Sequence, residues 1–353
     1  MSFDDLIFES TPNFRFKSTA VENCESLGGS CNFEILQKDQ KTYLISPLFE
    51  QGITTNVFFI RVISIEDNIV IKKLEGHDDR ILNVRYFYNE ITQKDYLVSA
   101  DKKNKVIVWD INDDYKLLKK LEFKFEGFIY SNVLFFKNDS IYLITSSMDY
   151  QGSVKIVDIT KNDPPEDVNS TEDFPVYFMT IYHNKINTKN YLILNGKKNI
   201  KIVEIFPENE NEDIFIKEFT TEEEKLYNSG GLIYNFNNYD YYICSKTNGT
   251  LMIINLEIME QVGDDRKFDG VSFYNIVKWN EKYLLFLDSY NRKVNVLDLN
   301  DHKIKSKMVF PELKYPRYMK KVIHPIYGEA LLIIGVDFKI KLYINKTITK
   351  FKD

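Results

Sequence analysis

Cysteine and histidine are nearly missing from this chain. It has three cysteines, Cys24, Cys31 and Cys244, and four histidines, His77, His183, His302 and His324. An odd number of thiols without metal-ligand spacing reads as reduced side chains of a cytoplasmic or nuclear protein, not as a disulfide framework. The histidines lie far apart with no i, i+4 or similar spacing, so no metal site is expected. Long apolar runs are lacking too. The start, Met1-Ser2-Phe3-Asp4-Asp5, has no basic segment leading into an apolar one, and no later stretch approaches the ~20 apolar residues that span a bilayer. The expectation is a soluble, unsecreted protein without membrane insertion, in which the sequons at Asn138, Asn169, Asn248 and Asn345 carry no weight.

Positive charge is not in excess. A net charge of -6 and a pI near 5.5 give no global attraction to nucleic acid or to an anionic membrane surface, which favours proteins or peptides as partners. The lysine-rich stretches Lys102-Lys103-Asn104-Lys105, Lys197-Lys198 and Lys314 to Lys321 read as solubilising turns and edges. Catalytic motifs are also missing: there is no Gly-x-Ser-x-Gly, phosphate loop or dinucleotide fingerprint, and the pairs Gly28-Gly29 and Gly230-Gly231 read as turns. Adjacent carboxylates such as Asp78-Asp79, Asp113-Asp114 and Asp264-Asp265 read as loops facing water, since acid and base work needs two carboxyls in different environments. No catalytic residue and no cofactor is expected.

What the chain does have is strand-forming material. Hydrophobic residues are 44% and aromatics 14%, with 26 Phe and 23 Tyr, enough to bury a core. Length alone, at 353 residues, allows one large or two ordinary domains. A repeat decides between them. A short alternating strand ending in an acidic or amide residue occurs as Val106 to Ile111, Val154 to Ile159, Ile200 to Ile205, Leu251 to Leu256, Val294 to Leu299 and Ile340 to Asn345. From Trp109 to its equivalents Val157, Val203, Ile254, Leu297 and Tyr343 the steps are about 48, 46, 51, 43 and 46 residues, close to the ~40–45 of a four-stranded blade. Val57 to Ser64 supplies a seventh, earlier copy. A second strand precedes each copy, as in Tyr96-Leu97-Val98-Ser99 and Tyr142-Leu143-Ile144-Thr145, and a tight turn such as Asn248-Gly249 joins the two. No helical period competes: the segment from Thr220 to Leu226 is short and acidic, and Glu208 to Asp213 reads as a solvated loop.

Gly76-His77, an alternating strand and then Trp109-Asp110 together resemble the WD40 signature, and the period is similar to that of WD40-repeat β-propellers over roughly residues 25 to 353. One repeat matches well; the others keep the strand pattern and often the acidic end but lack the Gly-His pair and the Trp. The resemblance implies an all-β, seven-bladed propeller of four-stranded antiparallel blades, with residues 1-24 an N-terminal segment available for ring closure and 25-353 the propeller. Closure is open to either terminus, by Thr347 to Phe351 or by a segment such as Asn13-Phe14-Arg15-Phe16. In the family a His, a Ser or Thr, a turn Asp and the Trp form a buried hydrogen-bond network. His77, Ser99 and Trp109 take those places, while the turn position falls at Lys103 with Asp101 two residues earlier. A structural role is therefore expected for His77.

The same resemblance implies a non-catalytic scaffold or adaptor that binds proteins or peptides as a subunit of a larger complex. Phosphoinositide-binding propellers carry a Phe-Arg-Arg-Gly motif, which is not found here, and a propeller enzyme would need the metal or acid–base set that the scattered histidines do not supply. In a propeller the loops leading into each blade's first strand emerge on one face. Here they hold Arg80, Phe128, Tyr130, Phe174, Tyr177, Tyr227, Phe273, Tyr274, Tyr315, Arg317 and Tyr318, residue types favoured at binding hot spots, and they form the candidate partner-binding rim.

Overall fold

A computed structural model describes residues 8–10, 33–51, 56–67, 69–147, 154–168, 175–196, 199–206, 216–220, 228–246, 248–268, 273–300, 304–309, 316–324, 328–335 and 340–345. Among them every regular element is a strand, and the strands form seven sheets. Blade 1 contains Glu34–Lys38, Lys41–Gln51, Asn56–Ser64 and Ile69–His77; blade 2 contains Ile81–Asn89, Lys94–Asp101, Lys105–Asp110 and Lys116–Glu122. Blade 3 is built from Ile129–Lys137, Ser140–Ser147, Val154–Asp158 and Glu166–Asp167, and blade 4 from Phe178–His183, Asn190–Asn195, Asn199–Ile205 and Ile216–Thr220. In blade 5, Asn228–Phe236, Tyr239–Lys246, Thr250–Asn255 and Glu260–Gln261 are joined by the short Arg266–Lys267; blade 6 has Phe273–Lys278, Tyr283–Asp288, Lys293–Asp298 and Ile304–Val309. Blade 7 takes Pro316–His324, Gly328–Gly335 and Ile340–Asn345 from the end of the chain and its fourth strand, Phe8–Ser10, from the beginning. That strand is antiparallel to its neighbour, with Phe8 opposite Asn345 and Ser10 opposite Tyr343. Both segments weighed for closure in the sequence lie outside the described residues. The architecture is a seven-bladed β-propeller.

Cross-strand register fixes why the repeat has its form. Trp109, Val157, Val203, Ile254, Leu297 and Tyr343 stand opposite Leu97, Leu143, Leu192, Tyr242, Leu284 and Leu331, and in blade 1 Ile63 stands opposite Leu44. All seven of the second-strand partners are completely buried. The acidic or amide end of the third strand has a different task. Asp110 Oδ1 accepts the N–H groups of Asn112 and Asp113 at 2.9 and 3.2 Å, and Asp158, Asn255 and Asp298 each accept the N–H two residues on at 2.9–3.0 Å. These side-chain turns end the strand and start the reversal into the fourth. The next residue then bonds back to the start of the second strand, as in Ile65 N to Thr42 O, Ile111 N to Asp95 O, Ile159 N to Ile141 O, Leu256 N to Asp240 O and Leu299 N to Lys282 O.

By contacts the chain divides into two compact units, 1–75 with 247–250 and 267–353, and 76–246 with 251–266. In the first, apolar clusters join blade 6 to blade 7 around Trp279 and Met319, and blade 7 to blade 1 around Phe33 and Leu332. In the second, clusters join blades 2 and 3 around Val108 and Leu143, blades 3 and 4 around Ile144 and Met179, and blades 4 and 5 around Ile202 and Met252. Each fully buried aliphatic side chain contributes roughly 1.5–3 kcal/mol, so cohesion lies between adjacent blades as much as within them.

Gly230-Gly231, expected as a turn, instead lies inside the strand Asn228–Phe236, with a bulge between Asn228 and Gly230. A Cβ on Gly231 would sit 1.8 Å from the Tyr242 hydroxyl oxygen. The missing side chain leaves room for Tyr242 to donate to Asn195 Oδ1 at 2.7 Å, tying blade 5 to blade 4.

Candidate protein-binding face

The buried network of blade 2 assembles from four positions. His77 Nδ1 is 2.9 Å from Asp101 Oδ2, His77 Nε2 is 2.7 Å from Ser99 Oγ, and Trp109 Nε1 donates to Ser99 Oγ at 3.0 Å. An ionised carboxylate only accepts, so Nδ1 carries the proton and Nε2 accepts from the Ser99 hydroxyl. Burial above all holds the His77 pKa below its ordinary value; Asp101 opposes this and the charges of Lys105 and Lys120 add to it. Asp101 also shapes the turn, since its Oδ1 accepts the N–H groups of Lys103 and Lys105 at 2.9 and 3.1 Å. Every polar atom that reaches this network is spent on structure.

Next to the network lies the loop that leads into blade 3. Asn104, in the left-handed region at φ 61, holds it from beneath. Its carbonyl accepts from Phe123 N at 3.0 Å, its Nδ2 donates to Phe125 O at 3.3 Å and Gly127 O at 2.8 Å, and its Oδ1 accepts from Ile129 N at 3.0 Å. On this fixed loop Phe128 stays 37% exposed, with the Lys102 ammonium 5.3 Å from its ring centre. Lys102 N in turn donates to Arg80 O at 2.9 Å. Tyr130 meets Tyr177 of the neighbouring loop edge to face at 6.3 Å, and burial raises the Tyr130 pKa. Arg80, Phe128, Tyr130 and Tyr177 thus stand at the leading ends of blades 2, 3 and 4, in one compact unit.

The remaining rim positions divide. Phe273 is fully buried against Phe268 and Phe286 and belongs to the core, not to a rim. A register shift between Phe273 and Asn275 matches shifts between Ile81 and Asn83 and between Ile129 and Ser131, so Phe273 occupies the place of the buried Ile81 and Ile129. Tyr318 and Arg317 are half-buried at the start of blade 7, where Tyr318 packs edge-on against Phe33 at 6.2 Å. Tyr274 lies in a described strand with its side chain undescribed, and Phe174, Tyr227 and Tyr315 lie outside the described residues.

Arg85 emerges only from the structure. Its Nη1 donates to Met179 O at 2.9 Å and Asn132 O at 3.3 Å, and its guanidinium lies 5.5 and 5.3 Å from the rings of Phe87 and Phe178. A single side chain of blade 2 therefore links the first strands of blades 3 and 4. The polar residue that follows the register shift makes a similar link in blades 2, 3 and 6: Asn83 Nδ2 donates to Tyr130 O, Ser131 Oγ accepts from Met179 N, and Asn275 Oδ1 accepts from Met319 N.

Outside the network, His183 is exposed and bonded to Asn190 Oδ1 at 2.9 Å, and burial lowers the pKa of His324 against the opposing charge of Glu66. Cys244 is buried and its thiol is pushed up to about 12. His302, Cys24 and Cys31 lie outside the described residues. Among the described residues no group of three or more His, Cys, Asp or Glu is placed to hold a metal ion, and no helix is long and apolar enough to cross a membrane.

Blade number and strand order define a seven-bladed β-propeller fold, and the blade 2 network resembles that of a WD40 repeat. Among solved structures the chain is similar to the β-propeller domain of Cps50 (Swd1) from Myceliophteria thermophila, with 15% identity, 90% of this chain and 96% of that chain covered, and a TM-score of 0.64. No protein-family profile and no curated protein matches the sequence.

Proposed function

We propose that this protein is a non-catalytic scaffold or adaptor, acting in the cytoplasm or nucleus as a subunit of a larger complex, and that it binds a protein or peptide at the leading ends of blades 2, 3 and 4. The observation that carries the reading is Phe128, an exposed ring on a loop already fixed by the four hydrogen bonds of Asn104. A loop ordered before binding spares the complex that entropy cost, and aromatic and arginine side chains are the usual anchors of interfaces. The polar groups best placed to look catalytic, His77 and Asp101, are instead buried and bonded to each other.

Affinity purification from native cells with crosslinking mass spectrometry tests this. Crosslinks from a stoichiometric partner to Lys102 or Lys103, lost in Phe128→Ala with Arg80→Ala, are expected. A partner bound wholly through other surfaces would overturn the assignment of the face, and a protein purified without any partner would overturn the scaffold reading.

A further inference from the structure

Lysines converge on the corner of blade 2 that carries this face. The turn held by Asp101 bears Lys102, Lys103 and Lys105, and the loop held by Asn104 bears Lys124. On the outer strand Lys120 stands opposite Ile107 and Glu122 opposite Lys105, and the two-residue strand period therefore places Lys105 and Lys120 on one face. Lys105 is buried with its ammonium on Asp78, and burial, then the nearby Lys120 charge, holds its pKa below the ordinary lysine value. Lys102, Lys103, Lys120 and Lys124 are exposed. Lys102 lies over Phe128, and Lys155 of blade 3 lies 5.7 Å from the ring centre of Phe125 on the same loop. Glu122, Glu126 and Asp78 supply the exposed carboxylates of this segment, Asp78 being paired with Lys105, while Asp79 lies beside Arg80 and the buried Asp101 faces His77. In a chain of net charge -6, the corner is a local surplus of positive charge on a pre-ordered support.

We propose that the corner takes an acidic extended peptide of the partner, its anionic groups meeting Lys102, Lys103, Lys120 and Lys124 while one apolar side chain rests on Phe128. This rests on the reading of the face as the docking surface. An acidic ligand fits the observations better than an apolar one, because the loop that leads into blade 3 exposes a single ring, Phe128 at 37%, with the Lys102 ammonium over it.

The test uses the full-length protein and four fluorescent twelve-residue peptides that share one central Leu. They carry flanking Glu, flanking phosphoserine, flanking Gln or flanking Lys. The Glu or phosphoserine peptide should bind at least tenfold more tightly than the Gln peptide, with affinity falling as salt rises, and the order of those two identifies carboxylate or phosphate as the natural anion. In Lys102→Glu/Lys103→Glu/Lys124→Glu, with folding checked by its melting curve, binding of the acidic peptides should fall at least tenfold and the Lys peptide should gain. Equal binding of all four peptides, no binding of the acidic ones, or acidic binding unchanged by the triple reversal would overturn the proposal. A photo-crosslinker at Phe128 separates this failure from the broader one: capture there of a partner segment without clustered acids sinks the acidic-peptide inference and leaves the docking face standing, whereas no capture there removes the face itself.

Discussion

At the scale of single residues, one position occupied in two ways tests what the buried network contributes. Ser99 in blade 2 and Thr145 in blade 3 both lie two residues beyond the buried leucine of the second strand, yet Ser99 bonds His77 and Trp109 while Thr145 Oγ1 has no hydrogen-bond partner among the described residues. Ser99→Ala strands two buried groups and should cost about 2–4 kcal/mol in urea unfolding, while Thr145→Val should fall within about 1 kcal/mol of the parent or stabilise it. His77 adds a pH dependence. Its folded pKa lies below the ordinary 6.5, so as pH falls the unfolded chain takes up the proton first. The stability contributed by neutral His77 is complete above pH 6.5 and is lost as pH falls through that value towards the folded pKa. His324 acts in the same direction. Unfolding curves at pH 7.5 and 5.5 should show a smaller loss in His77→Gln than in the parent protein; an equal loss would place the effect elsewhere. Of this network the His, Ser and Trp were legible only through the resemblance to the WD40 repeat, whose pattern they match by position. Asp101 was harder, because the place of the turn acid depends on how the backbone coils around it, and Arg85 was invisible, because its two carbonyl partners lie in other blades.

At the scale of the element, alternation and spacing made the third strand of every blade readable, since its period of two needs no distant information. The first strand was read less well. Its register shift moves side chains from one face to the other, which is why an aromatic placed like Phe273 belongs to the core although it opens the strand. A trace of the shift does exist in the sequence as a buried apolar residue followed two positions later by Asn or Ser, in Ile81-Leu82-Asn83, Ile129-Tyr130-Ser131 and Phe273-Tyr274-Asn275. The same kind of element holds Gly231. Gly231→Ala should destabilise by about 2–4 kcal/mol through overlap with Tyr242. Tyr242→Phe should fail to rescue it, because ring carbons of Tyr242 would still lie 2.3 and 2.7 Å from the new Cβ. Full rescue in the double variant would contradict this packing.

At the scale of the whole molecule, blade count followed from the repeat, but the closing strand did not. Phe8–Ser10 has only three residues, too few to carry a pattern, and its partner is named by topology alone. Glu9 stands opposite Ile344 in that pair. Proline there removes a ladder donor, so Glu9→Pro should lower stability by about 1–3 kcal/mol and lower the melting temperature by a few degrees, whereas Glu9→Gln should leave both unchanged. Equal melting of the two variants would mean that the pairing contributes nothing.

The closing strand also imposes an order in time. Ser10 leaves the ribosome long before Tyr343, its opposite residue, and at roughly 5–20 residues per second the interval between them is on the order of 15–70 s. Throughout that interval the strand Phe8–Ser10 lacks the partner it has in the folded protein, a period in which a chaperone or a neighbouring nascent chain competes for the same hydrogen bonds.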